Sequence, residues 1–197
     1  MAVEAKRVKE LRDMSGAGIM DCKKALEESG GDVEKALVLL REKGLKIAKK
    51  KAGREATEGR VEAYVHHDFK IGVLVQVNCE TDFVAMNDNF REFCHELAMH
   101  IAASDPQVIS REDLPEEQVT QEREILRKQL EDSGKPDHIK DKIVEGRMKK
   151  FFAEVCLLDQ EWMHDADMGS VQQVLTDLIA KIGENIVISN FARYSVR

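Results

Sequence analysis

The sequence predicts an α+β protein, with a three-helix module at the N-terminus and a core of helices packed on a small antiparallel sheet of about three strands. Three observations carry this reading. The first 54 residues hold short apolar stripes at helical spacing, broken by glycine pairs. Residues 61–67 and 71–79 alternate apolar and polar side chains across a short loop. Residues 88–103 and 171–182 carry clean amphipathic stripes. A head at 1–54, including a basic linker, and a body at 55–197 are the expected domains.

In the head, residues 3–14 place Val8 and Leu11 on one helical face. Ser15-Gly16-Ala17-Gly18 breaks the helix, its two glycines suiting the positive φ of a tight corner. A second helix runs over 19–29 and stops at Gly30-Gly31. Asp32 is a good N-cap for a third helix over 33–43, with Gly44 as its C-terminal stop. Leu26, Val33, Ala36, Leu37 and Leu40 can close a very small core. Residues 45–55 form a basic tether, helical or semi-ordered.

In the body, Val61, Ala63 and Val65 share one side of a strand. Ile71, Val73, Val75, Val77 and Cys79 share one face of the next, and the short Asp68-Phe69-Lys70 loop makes the pair an antiparallel hairpin. Phe90, Phe93, Cys94, Leu97, Ala98 and Ile101 form the stripe of helix 88–103. Two charged helices follow, over 115–132 and 137–158, separated by Ser133-Gly134-Lys135-Pro136. Residues 157–164 read as an extended edge segment. Ser170 opens a capping box for the helix that Gly183 closes, and residues 186–194 supply the third strand.

Bulk properties narrow the function. With 43% hydrophobic and 34% charged residues in 197, the chain reads as a soluble globular protein. Aromatics make up only 5%, which argues against a stacking surface for single-stranded nucleic acid. No apolar run reaches membrane-spanning length and residues 1–13 lack the apolar segment of a signal peptide, so a cytoplasmic protein is expected. Cys22, Cys79, Cys94 and Cys156 stand apart, with no C-x-x-C pair, and read as small buried hydrophobes. Residues 1–54 hold 14 Lys+Arg against 9 Asp+Glu, and the rest hold 16 against 28. A basic head on an acidic body points to an acidic partner for the head rather than to nucleic acid wrapped over the whole surface.

Catalytic and metal patterns fail on geometry. His95 and His100 lie five residues apart, about 140° around a helix, where a zinc-protease motif needs four. His66 and His67 alternate across a strand. Asp165 and Asp167 lack the further ligands of a calcium loop. No phosphate-cradling glycine loop is present, and Cys94 and His95 point apart. No enzyme, cofactor or metal site is therefore expected, which leaves protein binding as the leading class.

The segment Glu80-Thr81-Asp82-Phe83-Val84-Ala85-Met86-Asn87 joins a strand to a helix. Such a connection lies at the surface, yet it carries a ring beside a carboxylate. Either Phe83 tucks into the local core, which spacing alone favours, or the pair meets a partner. Trp162 poses a similar choice between core filler and interface anchor.

Several segments are to be read together. They are Leu11-Arg12-Asp13-Met14-Ser15-Gly16-Ala17-Gly18-Ile19-Met20-Asp21-Cys22-Lys23-Lys24-Ala25-Leu26, Ile71-Gly72-Val73-Leu74-Val75, Val77-Asn78-Cys79-Glu80-Thr81-Asp82-Phe83-Val84-Ala85, Gly134-Lys135-Pro136, Glu145-Gly146-Arg147-Met148-Lys149-Lys150-Phe151 and Ile182-Gly183-Glu184-Asn185-Ile186. Together, nearly end to end and in order, they resemble the translation elongation factor Ts family. The resemblance implies a ubiquitin-associated-like head and a guanine-nucleotide exchange factor for the GTPase elongation factor Tu. It also implies that Arg12, Ile19, Met20 and Lys23 contact the GTPase. Asp82 and Phe83, flanked by Thr81 and Val84, would intrude near its magnesium site, with His67 a further contact. Longer relatives repeat the core half, so a homodimer is expected here to supply a second copy. Asp68-Phe69 replaces a glycine-containing turn of many relatives, and Glu161-Trp162 a Pro-Phe-like pair. Alternatives of another class are an adaptor that uses the three-helix head alone, or an RNA-binding translation protein resting on the basic head and linker.

Overall fold

The computed structural model describes residues 4–134 and 136–196, with the side chain of Asp132 set aside. The expected helix start at Val3 and Lys135 of the Gly-Lys-Pro tag lie outside the described residues. Three helices, α1 (Ala5–Ser15), α2 (Ile19–Glu28) and α3 (Val33–Lys51), precede the hairpin β1 (Glu58–Val65) and β2 (Ile71–Cys79). A single turn, α4 (Asp82–Ala85), leads into α5 (Asp88–Ser104), and α6 (Glu116–Lys128), α7 (Asp137–Val155) and α8 (Val171–Ile182) follow before β3 (Ile186–Ser195). The strands form one antiparallel sheet in the order β1-β2-β3, so the α+β reading holds.

Contacts divide the chain into two compact units, each drawn from separated stretches of sequence. The first comprises 1–60, 77–93 and 173–187; the second comprises 61–76, 94–172 and 188–197.

In the first unit, Val8, Leu11, Cys22, Ala25, Leu26 and Ala36 close the head's own core, with Val33, Leu37 and Leu40 packed against it. Gly16 terminates α1 with φ of 64°, its N–H donating to the Arg12 carbonyl. The companion glycine does not share that role. Gly18 has an extended backbone (φ −61°), because it is the N-cap of α2. Asp32 caps α3 through the Lys35 N–H at 3.1 Å, as its position predicts.

The stop expected at Gly44 is absent, and α3 continues to Lys51, taking most of the basic tether into the helix. Gly44 is buried mid-helix, and a Cβ there would stand 3.5 Å from Ala180 Cβ and 3.7 Å from Asp177 Oδ1, both on α8. Those are ordinary contact distances, so Gly44 is an interior helix position facing α8 and not a terminator. Lys181 of α8 runs its stem beside Gly16 and donates to Asn89 Oδ1 of α5 at 2.6 Å. The head thus packs directly on α8 within this unit. At Gly59 (φ 141°) a Cβ would fall 2.2 Å from the Val77 carbonyl oxygen, so only glycine lets β1 lie against β2 there.

In the second unit, the alternation of β1 is present but its apolar side faces water. Val61 and Val65 are exposed, while Glu62, Tyr64 and His66 are half-buried. Tyr64 is 2.9 Å from His66 Nδ1, and Glu62 lies 3.3 Å from His95 Nδ1. Phe69 holds the hairpin tip in the left-handed region (φ 58°), its side chain exposed.

The extended edge segment expected at 157–164 is instead a turn at Leu157–Asp159 and a short bridge between Glu161 and Ser170. Trp162 supplies the reason, because it is buried and stacks on the His100 ring at 5.3 Å, pulling the backbone inward. It is a core filler.

Candidate functional site

The strand-to-helix connection is a built structure. Thr81 has extended backbone and caps α4 by accepting the Val84 N–H on its hydroxyl at 3.4 Å. Ala85 N–H returns to the Thr81 carbonyl at 3.2 Å, and Met86 N–H to the Asp82 carbonyl at 3.1 Å. Cys79, buried at the end of β2, donates its thiol to the Thr81 carbonyl at 3.1 Å. Burial, helped by the nearby Glu184 charge, pushes that thiol's pKa up and keeps it a donor.

This one-turn helix points its first residues outward. Phe83 is 82% exposed and Asp82 is exposed beside it, while Thr81, Val84 and Ala85 are half-buried and anchor the turn. The local-core placement that spacing alone favours for Phe83 is therefore not adopted. Met86, 71% exposed, extends the apolar tip.

The head presents a second patch in the same unit. Ile19 and Met20 are 56% and 59% exposed on the first turn of α2, and Met14, which sequence reasoning did not single out, is 60% exposed at the end of α1. Arg12 is exposed on the last turn of α1, and Lys23 lies 3.9 Å from Glu27 along α2. Arg12, Ile19, Met20, Lys23 and the turn Thr81, Asp82, Phe83, Val84 all belong to the first unit. His67 belongs to the second, where it is exposed with its ring 4.2 Å from that of His66.

The family model described as "Elongation factor TS" matches residues 5–175. The chain belongs to the elongation factor Ts family. It is 55% identical over 194 residues to the elongation factor Ts of Carboxydothermus hydrogenoformans, covering 98% of this chain and 89% of that one. It is 56% identical over 192 residues to that of Caldanaerobacter subterraneus subsp. tengcongensis, covering 98% and 96%. Against that of Thermosipho melanesiensis it is 52% identical over 194 residues, covering 98% of each chain. A role in translation elongation follows from membership. Among the described residues no helix is long and apolar enough to cross a membrane.

Sequence reasoning missed the residues that hold the turn from behind. Glu80 and Thr81 face Glu184 and Asn185 of the α8–β3 connection, and Arg54 closes the group. Both dipeptides lie within the segments that carry the family resemblance. Nothing in linear order, however, brings residues some hundred positions apart together.

Proposed function

We propose that the protein is a guanine-nucleotide exchange factor that binds elongation factor Tu·GDP and promotes GDP release. The observation that carries this reading is the Phe83 ring, 82% exposed beside the Asp82 carboxylate on a capped turn. Bound to the GTPase, Phe83 acts as a wedge and Asp82 disturbs the partner's magnesium shell. Mg²⁺ demands near-ideal octahedral geometry, so a small displacement of one ligand is costly. Once the ion is weakened, phosphate charge is poorly neutralised and GDP leaves faster. The exposed Ile19, Met20, Arg12 and Lys23 dock the head, and His67 adds a contact from the second unit. No covalent bond is made, so the protein is not an enzyme in that sense and needs no cofactor of its own. It acts in the cytoplasm, without direct contact with membrane or nucleic acid.

Release of fluorescent GDP from elongation factor Tu tests this reading. Wild-type protein accelerates release, Asp82→Ala loses part of the effect, and Met20→Glu raises the half-saturating concentration. Linkage adds a second check: GDP must weaken binding of this protein by the same factor by which the protein weakens GDP affinity. An affinity for elongation factor Tu that is the same with and without GDP in titration calorimetry contradicts the scheme.

A homodimer completes the proposal, with Val61, Val65 and Leu74 on the exposed side of the sheet as its contact. These residues keep half or more of their surface in water, an apolar strip that a second copy can cover. Sedimentation at micromolar concentration should give a dimer for wild type and a monomer for Leu74→Glu. A wild-type monomer removes this part of the reading.

A further inference from the structure

Two dipeptides from opposite ends of the body hold each other by reciprocal hydrogen bonds. Glu184 accepts from Thr81 twice, from its N–H at 3.1 Å and from its hydroxyl at 2.7 Å. In return Glu80 accepts the Asn185 N–H at 2.7 Å. The Asn185 side-chain amide donates to the Arg54 carbonyl at 2.7 Å, and the Arg54 guanidinium reaches back to Glu80 at 3.3 Å. Arg54 stands just beyond the end of α3, so three chain segments of the first unit meet at one point.

The consequence falls on α4. A four-residue helix has too few internal bonds to persist alone. Its stability depends on the Thr81 cap, and that cap depends on which way the hydroxyl proton points. Because the proton is given to Glu184, the oxygen lone pairs remain for the Val84 N–H. The carboxylate also fixes the Thr81 backbone from which Asp82 and Phe83 project.

We propose that Glu184, acting through Thr81, is a positioning residue for the Asp82-Phe83 turn, with Glu80, Asn185 and Arg54 completing a clasp that holds the turn ready for its partner. The proposal deepens the exchange reading and rests on it for its functional part. A ring that waits in its bound position loses less freedom on docking, so the clasp acts on the step after encounter more than on the encounter itself.

The test uses the full-length protein as Glu184→Gln, Thr81→Val and Thr81→Ser. Hydrogen exchange at the amides of Val84, Ala85 and Met86 is read on the free protein, and fluorescent GDP release from elongation factor Tu is read at rising concentrations. Glu184→Gln and Thr81→Val should speed exchange at those three amides about tenfold, the scale of one lost charged hydrogen bond. They should lower the maximal release rate by about the same factor, with half-saturation shifting by less than about twofold. Thr81→Ser, which keeps the hydroxyl, should restore both. Unchanged amide exchange in Glu184→Gln and Thr81→Val overturns the clasp, as does a Thr81→Ser variant as damaged as Thr81→Val. The amide measurement needs no partner. A wild-type protein that releases no GDP therefore counts against the exchange reading alone, while a wild type that works and a Glu184→Gln that works equally well counts against the clasp alone.

Discussion

Phe83 and Trp162 show how differently one chain can treat two large rings. Burying a phenylalanine is worth about 2 kcal/mol, and the folded protein leaves that gain untaken at Phe83. Replacing it by alanine should thus leave folding stability within about 0.5 kcal/mol of wild type. Trp162 is buried against His100, whose Nε2 is 3.0 Å from Gln160 Oε1 and whose Nδ1 accepts the Met163 N–H at 3.3 Å. That pattern requires a neutral imidazole, and burial holds its pKa below the ordinary 6.5. Below that value the unfolded chain takes up a proton that the folded chain refuses, so stability falls as pH falls. Urea midpoints measured from pH 7.5 to 5.5 should decline in the wild type and decline less steeply in His100→Gln. Parallel slopes contradict the assignment.

At the scale of elements, two glycines make opposite predictions. Gly59→Ala forces a Cβ onto the Val77 carbonyl and should destabilise by roughly 3 kcal/mol or more, since strand separation or strain must follow. Gly44→Ala meets only ordinary contact distances inside a helix and should stabilise by about 0.5–1 kcal/mol. Thermal unfolding of the two variants checks both signs. The same elements show what could be read from sequence. The stripes of α5 and α8 and the alternation of β2 were legible because the residues of each stripe fall on a covered face, although Leu74 on the other side of β2 stands in water. Gly44 misled because a glycine after an apolar run looks alike whether it ends a helix or lies within one. In β1, alternation marks two sides but does not say which one meets the core. Val61 and Val65 took the water side, and Glu62, Tyr64 and His66 took the covered one. The turn α4 was legible as a connection, but its helical form depends on a glutamate far along the chain.

At the scale of the molecule, a linear reading divides the chain near residue 54, and contacts gather the head with the Asp82-Phe83 turn and with α8 from Gln173 onward. The head patch and the turn therefore belong to one compact unit, held by Gly44 against Ala180, by Lys181 beside Gly16, and by Arg54 at Glu80. This arrangement gives family membership a physical content. The proposed docking residues and the proposed wedge share that unit, so on the exchange reading energy gained at the head is available to seat the turn. Identities of 52–56% over nearly the whole chain extend the comparison to both units.

The most direct measurement is stopped-flow release of fluorescent GDP from elongation factor Tu, with wild-type protein and Phe83→Ala compared at equal, verified thermal stability. Strong acceleration by the wild type, and a fall to near the spontaneous rate with Phe83→Ala, is the predicted result. Full acceleration by Phe83→Ala would contradict the account, because the exposed ring would then have no part in opening the nucleotide site.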